Sequence, residues 1–173
     1  MFSQTTEYAL RAVVHLAQNV GTAQTTRQIA DATHVPQGYL SKILQTLVRA
    51  QLIKSQRGLG GGFVLERTPA EITIFEIVEI IDPIPRITYC PLGLQAHGTH
   101  LCALHHRMDQ AILGVLEAFR SSTLQELLDE PNRSRPLCAD PDQKCGQAAG
   151  SNQDTSMGGR DELSAALEPD LEV

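Results

Sequence analysis

Four glycines crowd the run Arg57-Gly58-Leu59-Gly60-Gly61-Gly62, and the apolar triplet Phe63-Val64-Leu65 follows at once. A helix does not survive that density, because each interior glycine costs about 1 kcal/mol relative to alanine. Glycine does supply the positive φ that a tight reversal needs. The segment Leu52-Ile53-Lys54-Ser55 before the run and the triplet after it therefore predict a two-stranded hairpin. The run is not a nucleotide-cradling loop: it lacks the Lys-Ser/Thr of such loops and leads into a strand, not a helix.

Three helical patterns precede the hairpin. Over 7–19, Leu10, Val13, Val14 and Ala17 recur at i, i+3, i+4 and i+7, the spacing of one helix face. After the break at Asn19-Val20-Gly21, Thr25 and Gln28 form a capping-box pattern opening a short helix to about Thr33. His34-Val35 is the turn. Pro36 suits the first position of the next helix, which carries Leu40, Ile43, Leu44, Leu47 and Val48 on one face and runs to about Ala50. Helix, short helix, tight turn, helix and hairpin is the order of a winged helix-turn-helix.

Beyond the hairpin, Thr73 caps a helix with Ile74, Ile77, Val78 and Ile81 on its buried side, ending near Asp82-Pro83. A long connection over 84–101 holds Cys90, His97 and His100. A longer helix follows, with Met108, Ile112, Val115, Leu116 and Phe119 in helical spacing. Thr123 and Glu126 then open a short last helix. From Pro131 the apolar periodicity is lost, and 131–173 reads as a disordered acidic tail, with at most a weak helical turn at 161–168. The expected fold is mainly α with a small β wing. It divides into a winged helix-turn-helix unit (1–82), a cysteine/histidine sensor loop (83–102), a long helix with a short terminal helix (103–130) and the tail.

Charge is unevenly spread. Residues 1–70 hold seven basic and three acidic residues, whereas 71–130 hold three and nine, and 131–173 four and eight. A basic amino-terminal part on an acidic chain points to a localised contact with a polyanion. The helix starting at Pro36 would enter a major groove by its first turns, with Gln37, Gly38, Tyr39, Ser41, Lys42 and Gln45 on the open side. Thr26 and Arg27 would meet the DNA backbone, and Arg57 at the wing tip a minor groove. A three-helix core with a solvated polar face is the plainer reading; the wing glycines and the local positive balance argue against it. No paired carboxylates or nucleophile elbow stand out, and Ser41 and Ser55 lack a placed base, so an enzyme is not expected. No apolar run is long enough to span a membrane, and Gln4, Thr5, Thr6 and Glu7 do not form a secretory leader, so the expected compartment is the cytoplasm.

Cys102 and His105 stand at i, i+3 at the start of the long helix and present sulfur and imidazole on one face. Cys90 in the preceding loop is able to fold back on them, and four of the six histidines fall between 97 and 106. Thiolate with imidazole suits an iron–sulfur centre or zinc. A buried structural cysteine, a surface histidine cluster and a reversible disulfide are the competing readings. Cys138 and Cys145 lie in the tail at a spacing that is not diagnostic.

The runs Gly38-Tyr39-Leu40-Ser41-Lys42-Ile43-Leu44 and Arg57 to Leu65, with Thr6-Glu7-Tyr8-Ala9-Leu10-Arg11, resemble the IscR/NsrR (Rrf-two) family of winged-helix transcription regulators over residues 1 to about 130. The resemblance implies a homodimer paired through the helix at about 103–121, an inverted-repeat operator on double-stranded DNA, and repression. It also implies an iron–sulfur cluster that reports nitric oxide, redox state or cluster supply. Cys90, Cys102 and His105 match three family ligands, but the middle family cysteine falls on Ala96. His97, His106, or Glu7 from the first helix would then supply the remaining ligand, and fewer thiolates favour a 2Fe–2S over a 4Fe–4S centre. The alternative is a metal-free thiol sensor in which Cys90 and Cys102 form a disulfide. A module that binds small molecules or proteins instead of DNA is a more distant one.

Overall fold

The structure, a computed structural model, describes residues 2–90, 93, 100–131, 136 and 137. The expectations for Ala96, His97, Cys138, Cys145, the turn at 161–168 and nearly all of the tail lie outside the described residues. The first helix, α1 (Gln4–Gln18), starts three residues earlier than the apolar pattern, because Ser3 accepts a hydrogen bond from the Thr6 N–H at 3.2 Å. Its inner face is built on Ala9, Ala12, Val13 and Leu16, while Leu10 packs at the edge of the core. The small alanines let the neighbouring helices approach closely.

The capping box at the start of α2 (Thr26–Thr33) forms as expected. The Gln28 N–H donates to Thr25 Oγ1 at 3.2 Å, and the Thr25 N–H donates to Gln28 Oε1 at 2.8 Å. His34 ends the helix in the left-handed region, at φ 54°, and Val35 tucks into the core. Pro36 caps α3 (Gln37–Arg49) from just outside it, one position earlier than the sequence pattern implies. Leu40, Ile43, Leu44 and Leu47 are buried, and Val48 packs against them. Truncating one of these leucines to alanine costs about 2–5 kcal/mol.

The hairpin is β1 (Ile53–Gln56) paired antiparallel with β2 (Gly62–Leu65), with Ile53 opposite Leu65 and Gln56 opposite Gly62. Gly58 and Gly60 take φ of 105° and 78° in the reversal. A contact absent from the sequence reading adds a third partner: the Gln24 N–H donates to the Phe63 carbonyl at 3.0 Å, and the Phe63 N–H to the Gln24 carbonyl at 2.8 Å. The wing is thereby fastened to the segment just before α2.

After a 3-10 turn at Pro69–Glu71, the chain forms α4 (Ile74–Ile81), α5 (Ala103–Ser121) and α6 (Leu124–Asp129). Thr73 with Glu76 and Thr123 with Glu126 make capping boxes. The two helix starts are also joined: the Ile74 N–H donates to the Ser122 carbonyl at 3.0 Å and the Leu124 N–H to the Ile72 carbonyl at 2.9 Å. Leu124 is consequently buried in the same core as α1 and α3. No helix among the described residues is long and apolar enough to cross a membrane.

Candidate nucleic-acid interface and cysteine–histidine pair

The core faces of α2, α3 and the hairpin turn inward, so their polar residues share the outer side. Gln37, Gly38, Tyr39, Lys42 and Gln45 are exposed, Tyr39 to 65%. Ser41 is half-buried and its hydroxyl donates to the Gln37 carbonyl at 2.9 Å, so it is partly committed to its own helix. No side chain caps the first turn of α3, where the Tyr39 N–H turns back to the Pro36 carbonyl at 3.0 Å. Thr26 opens α2 beside Arg27, which is exposed and held only loosely by Asp31 at 3.8 Å. Arg57 is exposed at the wing. Among the described residues, Lys42, Arg49 and Arg57 have no carboxylate within 4.0 Å, whereas Lys54 pairs with Glu66 at 3.6 Å. Unpaired cations retain their field for a polyanion.

Sequence reasoning passed over Leu59, which is completely exposed at the wing tip. Its signal was present: one large apolar residue inside a glycine run has nothing beside it to pack on.

The second constellation is partly assembled. Cys102 is the N-cap of α5, and its Sγ lies 3.3 Å from His105 Nδ1, the pairing expected from the i, i+3 spacing. That separation fits two donors to one small cation. Among the described residues, however, no three Cys, His, Asp or Glu side chains converge as a metal-holding group. Cys90 is half-buried within the loop. His106 is exposed, and its N–H makes the first helical bond to the Cys102 carbonyl at 2.9 Å. Glu7 is engaged by Arg11, whose Nε donates to Glu7 Oε1 at 2.7 Å. The residues present supply two donors of a site, and the set is not complete within the described part.

A feature of the loop was not foreseen. Arg86 grips Asp109 on α5 with both arms, Nε to Oδ1 and Nη2 to Oδ2, each at 2.6 Å, and the Ile87 N–H donates to Asp109 Oδ1 at 3.0 Å. The Asp109 side chain is only 8% exposed. The Arg86 bonds hold its carboxyl below the ordinary carboxylate value, outweighing the opposing effect of desolvation. Nothing periodic marks such a pair in the sequence, because the partners are brought together by the path of the loop.

On α5, among the described residues, only Asp109 and Leu116 are buried, while Leu104, Met108 and Val115 are exposed to 65%, 48% and 39%. These three lie along one side of the helix. Beside them, the start of α1, Pro83-Ile84 and α5 enclose an open, mainly apolar cavity of about 440 Å³, reached by Phe2, Thr6, Ile112 and Val115.

The Rrf2 model, described as an iron-dependent transcriptional regulator, matches residues 2–130. An rrf2-like protein of Rhodobacter capsulatus is 30% identical over 151 residues, covering 81% of this chain and 100% of that one. The HTH-type transcriptional regulator NsrR of Geobacillus kaustophilus is 31% identical, covering 76% and 92%. Among solved structures, CymR, described as the global cysteine regulator of B. subtilis, superposes with a TM-score of 0.60 at 28% identity, over 73% of this chain and 95% of that one.

Proposed function

Because the chain belongs to the Rrf2 family of winged-helix transcriptional regulators, we propose that it is a dimeric repressor whose hold on an inverted-repeat operator is gated by an iron–sulfur cluster. The observation that carries the DNA-binding part is the open polar face of α3, with Lys42, Arg49 and Arg57 around it, unpaired among the described residues. In this reading Gln37, Gly38, Tyr39, Ser41, Lys42 and Gln45 meet bases and phosphates in the major groove. Thr26 and Arg27 bind the backbone, and Arg57 reaches the minor groove. The exposed stripe of α5 and the adjoining cavity support pairing of two chains there, since a large exposed apolar patch marks an interaction surface. Two-fold pairing presents two copies of α3 to two half-sites.

For the signal, Cys90, Cys102 and His105 are the ligands we assign, with His97, His106 or Glu7 completing the set. Imidazole is able to replace thiolate on one iron of a 2Fe–2S centre. When bound, such a cluster supplies chemistry toward nitric oxide and oxidants. The residues of this chain then translate it: Cys102 and His105 sit on the first turn of α5, so a change there acts on the helix that sets the separation of the two heads. A metal-free thiol pair, Cys90 with Cys102, is the second reading, favoured by Ala96 standing where the family's middle cysteine stands.

Protein purified without oxygen tests the proposal through its visible spectrum and its iron and sulfide content per chain. Visible bands with both elements, lost in Cys102→Ala while operator binding persists without the response, support the cluster. Colourless protein after reconstitution, with operator binding switched by reductant alone, supports the thiol pair.

A further inference from the structure

We propose that Arg86 and Asp109 are positioning residues that hold Cys90 within reach of Cys102 and His105 before any ligand or oxidant arrives. The inference rests on the joint action of Cys90 and Cys102 proposed above, but it concerns the protein alone. Cys102, His105 and Asp109 stand at i, i+3 and i+7, one face of α5. With a rise of 1.5 Å per residue, Asp109 lies about 10 Å along the axis from Cys102 and about 6 Å from His105. On that same face Asp109 receives three hydrogen bonds from the loop, at 2.6, 2.6 and 3.0 Å. The last of these fixes the backbone at Ile87, only three residues before Cys90. Three residues span at most about 10 Å. The tether is thus just long enough to return Cys90 to the start of α5 and too short to let it wander far from it.

The chemistry of the pair suits this task. A two-armed guanidinium–carboxylate contact fixes orientation as well as distance, and a lysine at 86 would not reproduce it. Asp109 is nearly buried on a helix whose other described polar residues are open or half-open to solvent, so its placement is specific to the loop. Without the latch the backbone at Ile87 loses its anchor on α5, and the effective concentration of one thiol at the other falls with the freedom of the chain between them.

The test uses metal-free, reduced full-length protein with Cys138→Ser and Cys145→Ser, treated with dibromobimane. This reagent alkylates two thiols, releasing two bromides, and fluoresces fully only when it bridges them. Peptide mapping identifies the Cys90–Cys102 bridge. The parent is expected to bridge rapidly, and Arg86→Gln with Asp109→Asn to bridge about tenfold more slowly or less, with each thiol still alkylated by a monofunctional reagent. The charge-reversed pair Arg86→Asp with Asp109→Arg is expected to recover part of the rate, and Arg86→Lys to recover little. Bridging in Arg86→Gln/Asp109→Asn within twofold of the parent overturns the inference. Should that double variant lose its thermal transition, Arg86→Gln alone, at an exposed position, gives the same reading. Failure of the cluster proposal is seen separately, as iron and sulfide contents unchanged in Cys90→Ser and Cys102→Ser; the bridging rate does not depend on it.

Discussion

Gly62 lies directly against Gln24: a Cβ on Gly62 would come within 2.5 Å of the Gln24 carbonyl carbon and oxygen. Backbone on both sides leaves no flexible group to move aside. The wing therefore approaches the start of α2 only because residue 62 has no side chain.

Gly62→Ala is expected to destabilise the protein by about 1–3 kcal/mol, the ordinary range for an overpacked site, and to weaken operator binding by shifting the wing. Gly38 gives the contrast, since its Cβ position in α3 is open. Gly38→Ala is expected to stabilise the fold by about 0.5–1 kcal/mol through helix propensity, while placing a methyl group on the side proposed to face DNA. Urea denaturation and fluorescence anisotropy with operator DNA separate the two effects. A Gly62→Ala protein as stable as the parent contradicts the close contact.

Lys42 has no carboxylate partner among the described residues, and it is proposed to meet a DNA phosphate. Lys42→Ala is expected to weaken binding to specific and random DNA alike and to reduce the slope of log K against log salt by about one per subunit. An unchanged slope, measured between low and moderate salt, removes Lys42 from the phosphate contacts.

The stripe Leu104, Met108 and Val115 is proposed to be covered by a second chain. Met108→Glu places a charge in that interface and is expected to give monomers in sedimentation equilibrium at concentrations where the parent is dimeric. Far-ultraviolet circular dichroism should remain that of the parent, because Met108 contributes little to the core of its own chain. A variant that still sediments as a dimer moves the interface elsewhere.

Burial pushes the His15 imidazole below its ordinary value of 6.5, against a smaller opposing effect from Gln24. Its Nε2 is buried without a hydrogen-bond partner among the described residues. The folded chain thus resists a proton that the unfolded chain accepts, so the contribution to stability is full above about pH 7 and declines as pH falls through 6.5. Comparing thermal midpoints at pH 5.5 and 7.5, His15→Leu is expected to show a smaller difference than the parent. Equal differences assign the pH dependence to another group.

The head of the molecule was legible because its signals are local. Thr25 with Gln28, Thr73 with Glu76 and Thr123 with Glu126 announce helix starts within four residues, and the leucines of α3 repeat at the helical period. Long-range pairings were not legible. The Gln24–Phe63 bridge joins residues whose side chains carry no mark of it, because both bonds are backbone bonds. Arg86 and Asp109 are 23 positions apart and meet only through the fold of the loop. On α5 the apolar spacing was correctly read as a helix face, but periodicity alone does not tell a face turned to its own core from one left open. Met108 and Val115 are exposed, and Leu116 alone of the five periodic residues is buried.

The join between Ser122–Leu124 and Ile72–Ile74 has a practical consequence for anyone building chimaeras. The chain leaves the helix-and-wing unit after α4, runs out along α5, and comes back to place Leu124 in the core it left. A fragment cut after residue 82 would open a leucine-sized hole beside α1, a loss of about 2–5 kcal/mol, and would leave the Ile72 carbonyl without its partner. A transplant of this helix-and-wing unit onto a foreign receptor must therefore carry α6 as a separate, second piece, spliced in behind the receptor's own helix.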